Sequence, residues 1–248
     1  PQAIQQFLNT AYRRWSTKPK YAVLLGKGTY DYRNAEGGND NLVPALLTRT
    51  EEGMRPSDLL FGDVVGDDAV PEIAVGRLPA TTPAQAQAMI AKIIAYESAQ
   101  VAYANEAVIA ADKLDLAGDF TADAEAIRNR FFAGKTVRTV YLDHAEPTRG
   151  ASDLRDALRD GSRLALYIGH GGFDQLARGE LLAGNHVDGL DNGASLPIVL
   201  AATCHAANFS EPRRTSLSET LVLAENEGAI AVWAPTGLGF NANSAALL

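Results

Sequence analysis

The chain has 248 residues with a formal net charge of -8, one cysteine and four histidines. That length suits one large α/β domain or two sub-domains and can bury a sizeable core, while the acidic balance argues against nucleic acid or an anionic membrane as the main partner, since both reward clustered Lys and Arg. A single cysteine excludes an intramolecular disulfide, and no apolar run approaches the roughly 20 residues of a membrane span.

The chain opens at Pro1 with neither methionine nor signal peptide, which suggests a segment of a longer protein. Residues 2–15 place Ile4, Phe7, Leu8, Ala11, Tyr12 and Trp15 on one helical stripe. Pro19 closes that helix, and Tyr21 to Gly26 reads as a buried strand entering Lys27-Gly28-Thr29, where a phosphate loop competes with a plain tight turn. Leu42 to Leu47 carries Pro44, which keeps it from a central strand position. An acidic loop follows. Asp63, Asp67 and Asp68 could hold a structural calcium, although their spacing departs from the EF-hand register and a solvated loop explains them as well. Glu72 to Arg77 is a short strand. Thr82 then caps a helix with Pro83 in its first turn and Ala86, Met89, Ile90, Ile93 and Ile94 as its stripe. A sub-domain boundary is placed near residue 103.

The second half alternates strand and helix. Ala107 to Ala111 is a strand ending at Asp112. A loop with Asp115 and Asp119 precedes a helix with Ala124, Ile127 and Phe131 inside. Thr136 to Leu142 is the next strand, residues 152–160 a helix ending at Gly161, and Leu164 to Ile168 a strand delivering Gly169-His170-Gly171-Gly172. A crossover leads to the strand Leu196 to Thr203, which delivers Cys204-His205. A helix from Ser216 or Ser218 and a strand from Ala229 to Trp233 complete the chain. This alternation predicts a mostly parallel sheet with helices on both faces.

The chemistry gathers at two strand ends. Strands in one sheet lie about 4.8 Å apart, and ligands bind open α/β sheets at the carboxyl ends of strands. The 34 residues between His170 and Cys204 suit one crossover, so neighbouring strands would bring a base to a thiol. Glycines flank His170, and the Gly171 amide, with that of Cys204, could receive an oxyanion. The alternative for Cys204 is a buried small hydrophobe, and for His170 a turn residue. His205 should point to the opposite side if its strand continues. His144 and His186 read as loop residues, and scattered histidines with one cysteine lack zinc-ligand spacing.

Tyr167-Ile168-Gly169-His170-Gly171-Gly172 followed by Ala201-Ala202-Thr203-Cys204 resembles the gingipain-like cysteine peptidases of the caspase-like group. Ala3 to Phe7 before Tyr21 to Gly26, Ile73 to Arg77, and Gly228 to Val232 support the match in order. The resemblance implies a caspase-like three-layer α/β/α sandwich. Its two sub-domains would be 1–103, lacking a first strand, and 104–248, truncated at its carboxyl end. It implies a secreted or cell-envelope endopeptidase acting on protein or peptide substrates through Cys204 and His170, with no required cofactor. It also implies that Asp112 orients His170, that Asp119 favours a basic residue before the scissile bond, and that Trp233 to Phe240, including Thr236, walls the cleft. A sorting transpeptidase of the same fold and a non-catalytic binding module remain open readings.

Overall fold

A computed structural model describes residues 1–66 and 68–239. In chain order the helices are α1 (Gln2–Arg14), α2 (Leu59–Gly62), α3 (Pro83–Ser98), α4 (Phe120–Phe131), α5 (Pro147–Arg159) and α6 (Leu217–Leu223). The strands are β1 (Tyr21–Leu25), β2 (Leu47–Thr50), β3 (Gly53–Pro56), β4 (Ala74–Leu78), β5 (Asn105–Ala111), β6 (Val137–Tyr141), β7 (Ser162–Ile168), β8 (Gln175–Leu176), β9 (Leu182–Ala183), β10 (Ile198–Ala202) and β11 (Ala231–Trp233). Two compact units result. One comprises Pro1–Gln87 with Phe209–Arg214, and the other starts at Ala88, runs to Asn208 and resumes at Thr215.

In the second unit five parallel strands lie in the order β11-β10-β7-β5-β6. Period-2 alternation sorts their side chains onto two faces. Ala107, Ile109 and Ala111 of β5 and Leu166 and Ile168 of β7 pack with Phe120, Ala124 and Ile127 of α4. The intervening Val108, Ala110, Ala165 and Tyr167 pack with Leu154, Ala157 and Leu158 of α5 and with Leu217 and Leu221 of α6. The result is a helix–sheet–helix sandwich, as the strand and helix alternation leads one to expect.

Several local expectations change. α5 begins at Pro147, ahead of the expected residue 152, because proline is accommodated at the first helical position, where no intrahelical N–H is needed. Phe131 is exposed, not internal, and the Arg130 guanidinium lies 4.8 Å from its ring centroid. On α1 only Leu8 and Ala11 are fully buried, and Phe7 and Trp15 cover each other edge-on at 6.0 Å. On α3 only Met89 is buried. Apolar stripes of this width exceed the contact their faces make.

In the first unit β1 and β4 pair in parallel, with Leu24 opposite Arg77. Leu8, Leu24, Phe61, Val64 and Ile73 form its core. Arg77, whose side chain is 6% exposed, ties that unit together. Its guanidinium grips Asp58 at 2.6 and 2.8 Å and donates to the carbonyls of Gly26 and Val43 at 2.7 and 2.8 Å. It also lies 4.5 Å from the Phe209 ring centroid. A desolvated bidentate pair of this kind is costly to break from one side. Asp58→Ala should therefore lower stability in denaturant titration by about 3 kcal/mol or more. Asp156→Ala, which breaks a half-exposed pair with Arg159, should change it by less than about 1 kcal/mol.

Candidate active site

β7 and β10 are neighbours in register, with Tyr167 opposite Ala201 and Ile168 opposite Ala202. His170 and Cys204 thus leave the sheet at the same step beyond adjacent strands. The Gly169 N–H continues the ladder to the Ala202 carbonyl at 3.1 Å. At φ +152° an ideal Cβ on Gly169 would lie 2.3 Å from Asp112 Cβ, and one on Gly171 would lie 2.2 Å from Thr203 Oγ1. The strand exit therefore passes too close to its neighbours for any side chain at either position.

The His170 main chain is held from below. Its N–H donates to Asp112 Oδ2 at 3.2 Å, and its carbonyl accepts the Tyr167 hydroxyl at 2.6 Å and the Ala177 N–H at 2.8 Å. Asp112 and Tyr167 are both buried. Burial, and secondarily the Asp112 charge, pushes the Tyr167 phenol well above its usual range, so it remains a donor. The ring is held from the side. Nε2 lies 2.8 Å from Asp115 Oδ2, and Phe120 meets the ring edge-on at 5.4 Å between centroids.

Asp115 is held below the ordinary carboxylate range by the Ala117 N–H first and by His170 second. Its grip on the ring is accordingly present above that range and lost as pH falls through the lowered value. An ionised carboxylate only accepts, so Nε2 carries the proton and the neutral ring keeps its lone pair on Nδ1. That tautomer can take a proton from a thiol.

One expectation shifts here. The residue against the His170 ring is Asp115 and not Asp112, which supports the main chain instead. Asp119 is the N-cap of α4, its Oδ1 accepting the Ala122 N–H at 2.9 Å, and it remains exposed. Asp115 gave no sequence signal that ranks it above its neighbours. What selects it is the turn closed by its reciprocal main-chain bonds with Gly118 at 3.2 and 3.3 Å, which swings its carboxylate back toward the strand end.

Cys204 is partly exposed. Its Sγ contacts Gly239, whose N–H lies at 3.4 Å and carbonyl at 3.6 Å. The segment 235–239 runs beside it, accepting the His205 N–H at Gly237 and the Ala207 N–H at Pro235 at 2.9 and 3.0 Å. β10 ends at Ala202 and His205 sits at φ +57°, so the strand alternation expected to turn His205 away does not extend that far. Trp233 ends β11 with 47% of its surface exposed, and Thr236 lies within the flanking segment. Phe240 lies outside the described residues. Gly171 faces Leu176 across a small bridge whose flanking bonds are Gly172 N–H to Gln175 and Ala177 N–H to His170. In that pattern the Gly171 N–H is not used by the ladder.

No group of three or more His, Cys, Asp and Glu able to hold a metal occurs among the described residues. Asp63 Oδ2 and Asp68 Oδ1 accept the amides of Ala69 and Val70 within their own loop, and Asp67 lies outside the described residues. Lys27 is buried, with its ammonium on the Arg214 carbonyl, an internal contact in place of a phosphate cradle. No helix among the described residues is long and apolar enough to cross a membrane.

A parallel sheet between helical layers, with a histidine and a cysteine at the ends of adjacent strands, defines the class of α/β/α proteins bearing a cysteine–histidine pair. Within that class the chain belongs to peptidase family C25, whose family model matches residues 1–247. Gingipain R2 of Porphyromonas gingivalis (strain ATCC BAA-308 / W83) is 24% identical over 233 residues, covering 91% of this chain and 29% of the relative. Gingipain R1 of Porphyromonas gingivalis is 25% identical over 235 residues, covering 91% and 22%. The crystal structure of the Arg-specific cysteine proteinase gingipain R superposes with a TM-score of 0.75 at 22% identity, over 96% of this chain and 53% of that one. The complex of Porphyromonas gingivalis RgpB pro- and mature domains gives a TM-score of 0.79 at 22% identity, over 98% and 56%. The fold is thus the caspase-like one of these structures. The chain spans less than a third of the curated relatives' length and about half that of the solved chains.

The contact between Gly171 and Thr203 is directly testable. Thr203 Oγ1 is buried and has no hydrogen-bond partner among the described residues, so Thr203→Ala should cost little. Gly171→Ala should lower the unfolding free energy by about 1–3 kcal/mol through overpacking. Adding Thr203→Ala, which leaves the former Cβ at 3.3 Å as the nearest atom of that residue, should recover most of the loss.

Proposed function

We propose that the protein containing this chain is a cysteine endopeptidase acting on protein or peptide substrates, with Cys204 as nucleophile and His170 as general base and acid. The observation that carries this reading is the β7–β10 register, which sends both residues from adjacent strand ends while Asp115 holds the proton on Nε2. In the first half-reaction Nδ1 takes the Sγ proton and the thiolate attacks the scissile carbonyl carbon. The Gly171 and Cys204 amides receive the developing oxyanion. The imidazolium then protonates the leaving amine as the C–N bond breaks, leaving a thioester on Cys204. In the second half-reaction His170 takes a proton from water, the resulting nucleophile attacks the thioester, and the proton returns to the departing sulfur. No step needs a cofactor.

Trp233 and Thr236 line the substrate side of this cleft, supported by the exposure of Trp233 at the end of β11 and by the course of segment 235–239 beside the thiol. A basic residue before the scissile bond fits the exposed Asp119 carboxylate, and the solved relative described as Arg-specific supports the same preference. A secreted or cell-envelope setting follows from the family resemblance.

The thiol itself provides the test. Iodoacetamide near pH 6 should label Cys204 of the full-length protein quickly, and His170→Ala should slow that labelling by about tenfold or more, because an unassisted thiol titrates near pH 8.5. Slow labelling indifferent to His170→Ala would remove the Cys–His pair from the mechanism. For specificity, peptide-library cleavage should enrich Arg or Lys before the cut, and Asp119→Asn should abolish that enrichment. An unchanged profile would exclude Asp119 from this role.

A further inference from the structure

Two side-chain contacts to the His170 ring come from one short span of chain. Asp115 sits on Nε2 at 2.8 Å, and Phe120 meets the ring edge-on at 5.4 Å. The turn that carries Asp115 is tied within itself by the Asp115–Gly118 main-chain bonds and by the Ala117 N–H on Asp115 Oδ1 at 2.8 Å. Those bonds set the shape of the turn but not its position against the sheet. On the β5 side its tie is local, from the Lys113 N–H to Asp112 Oδ1 at 2.8 Å.

The lateral anchor comes from the next strand. Asp143, two residues beyond β6, takes both ends of the span: Oδ1 accepts the Leu114 N–H at 2.9 Å and Oδ2 accepts the Thr121 hydroxyl at 2.7 Å. The sheet locates Asp143 in turn, since β6 pairs with β5 up to Tyr141 opposite Ala111 and the Leu142 N–H reaches the Ala111 carbonyl at 3.0 Å. We propose that Asp143 is a positioning residue for the general base: it fastens the span 114–121 to the sheet so that Asp115 and Phe120 close on the His170 ring. Those same two bonds, Leu114 first, hold the Asp143 carboxyl below its usual range, so the clamp is ionised near neutral pH. This role rests on the Cys204–His170 reading above.

A plain loop fastener and a positioning residue differ in their coupling to Asp115. Iodoacetamide labelling of Cys204 at pH 6, in full-length protein, is compared for wild type, Asp143→Ala, Asp115→Asn and the double variant. Unfolding midpoints confirm that each is folded. Asp143→Ala should slow labelling about tenfold. It should slow the Asp115→Asn variant hardly at all, because residues acting in one network are not additive. Asp143→Asn, which keeps an oxygen for the Leu114 N–H, should restore most of the rate. Labelling of Asp143→Ala at the wild-type rate, or a full further tenfold loss on the Asp115→Asn background, would overturn the role. Should Asp115→Asn label like wild type while His170→Ala labels slowly, the Asp115 contact and the Asp143 clamp both fail but the Cys–His pair stands. Wild-type labelling of His170→Ala would instead sink the pair itself.

Discussion

The pairing register of β7 with β10 is the constraint on which the site depends. A parallel ladder admits only even shifts if side chains are to keep their faces, because a one-residue slip would send the Tyr167 and Ala165 face into the α4 layer. With Ile168 locked opposite Ala202, the first residues able to leave the sheet emerge side by side. Gly169 and Gly171 then permit the close passage past Asp112 and Thr203 that brings His170 out. Packing on both faces of the sheet thus determines where the chemistry sits.

Electrostatics complete what packing begins, and two carboxylates divide the task by depth. Asp112, buried at the end of β5, takes the His170 amide and fixes where the residue starts. Asp115, in the exposed turn beyond it, fixes the direction and tautomer of the ring. A buried aspartate on a main-chain amide lets the histidine keep its place as the ring changes charge, whereas an exposed one can stabilise the imidazolium without a large desolvation cost. The Tyr167 hydroxyl on the His170 carbonyl secures the other side of the same residue.

Much of this was legible in the sequence because it depends on local pattern. Continuous apolar runs mark β5, β7 and β10, and the Gly-His-Gly-Gly and Ala-Thr-Cys endings identify the two strand ends before any coordinates. The α4 cap was not legible as a cap, because Asp119 reads equally as a free carboxylate until Ala122 is seen on it. Choosing among Asp112, Asp115 and Asp119 requires the three-dimensional course of one turn, and no periodicity encodes that. Asp143 is less visible still, since its partners, Leu114 and Thr121, lie 29 and 22 residues away. The membership of Phe209–Arg214 in the first unit is likewise a tertiary fact, expressed in the Phe209 ring against Arg77.

The central claim is that Cys204 forms a covalent acyl intermediate with peptide substrates. Intact-mass measurement on the full-length protein, quenched in acid within its first turnovers on a peptide ester, tests it most directly. The account predicts an acyl adduct that maps to Cys204, and neither adduct nor cleavage in Cys204→Ala. Cleavage by Cys204→Ala at the wild-type rate would contradict it.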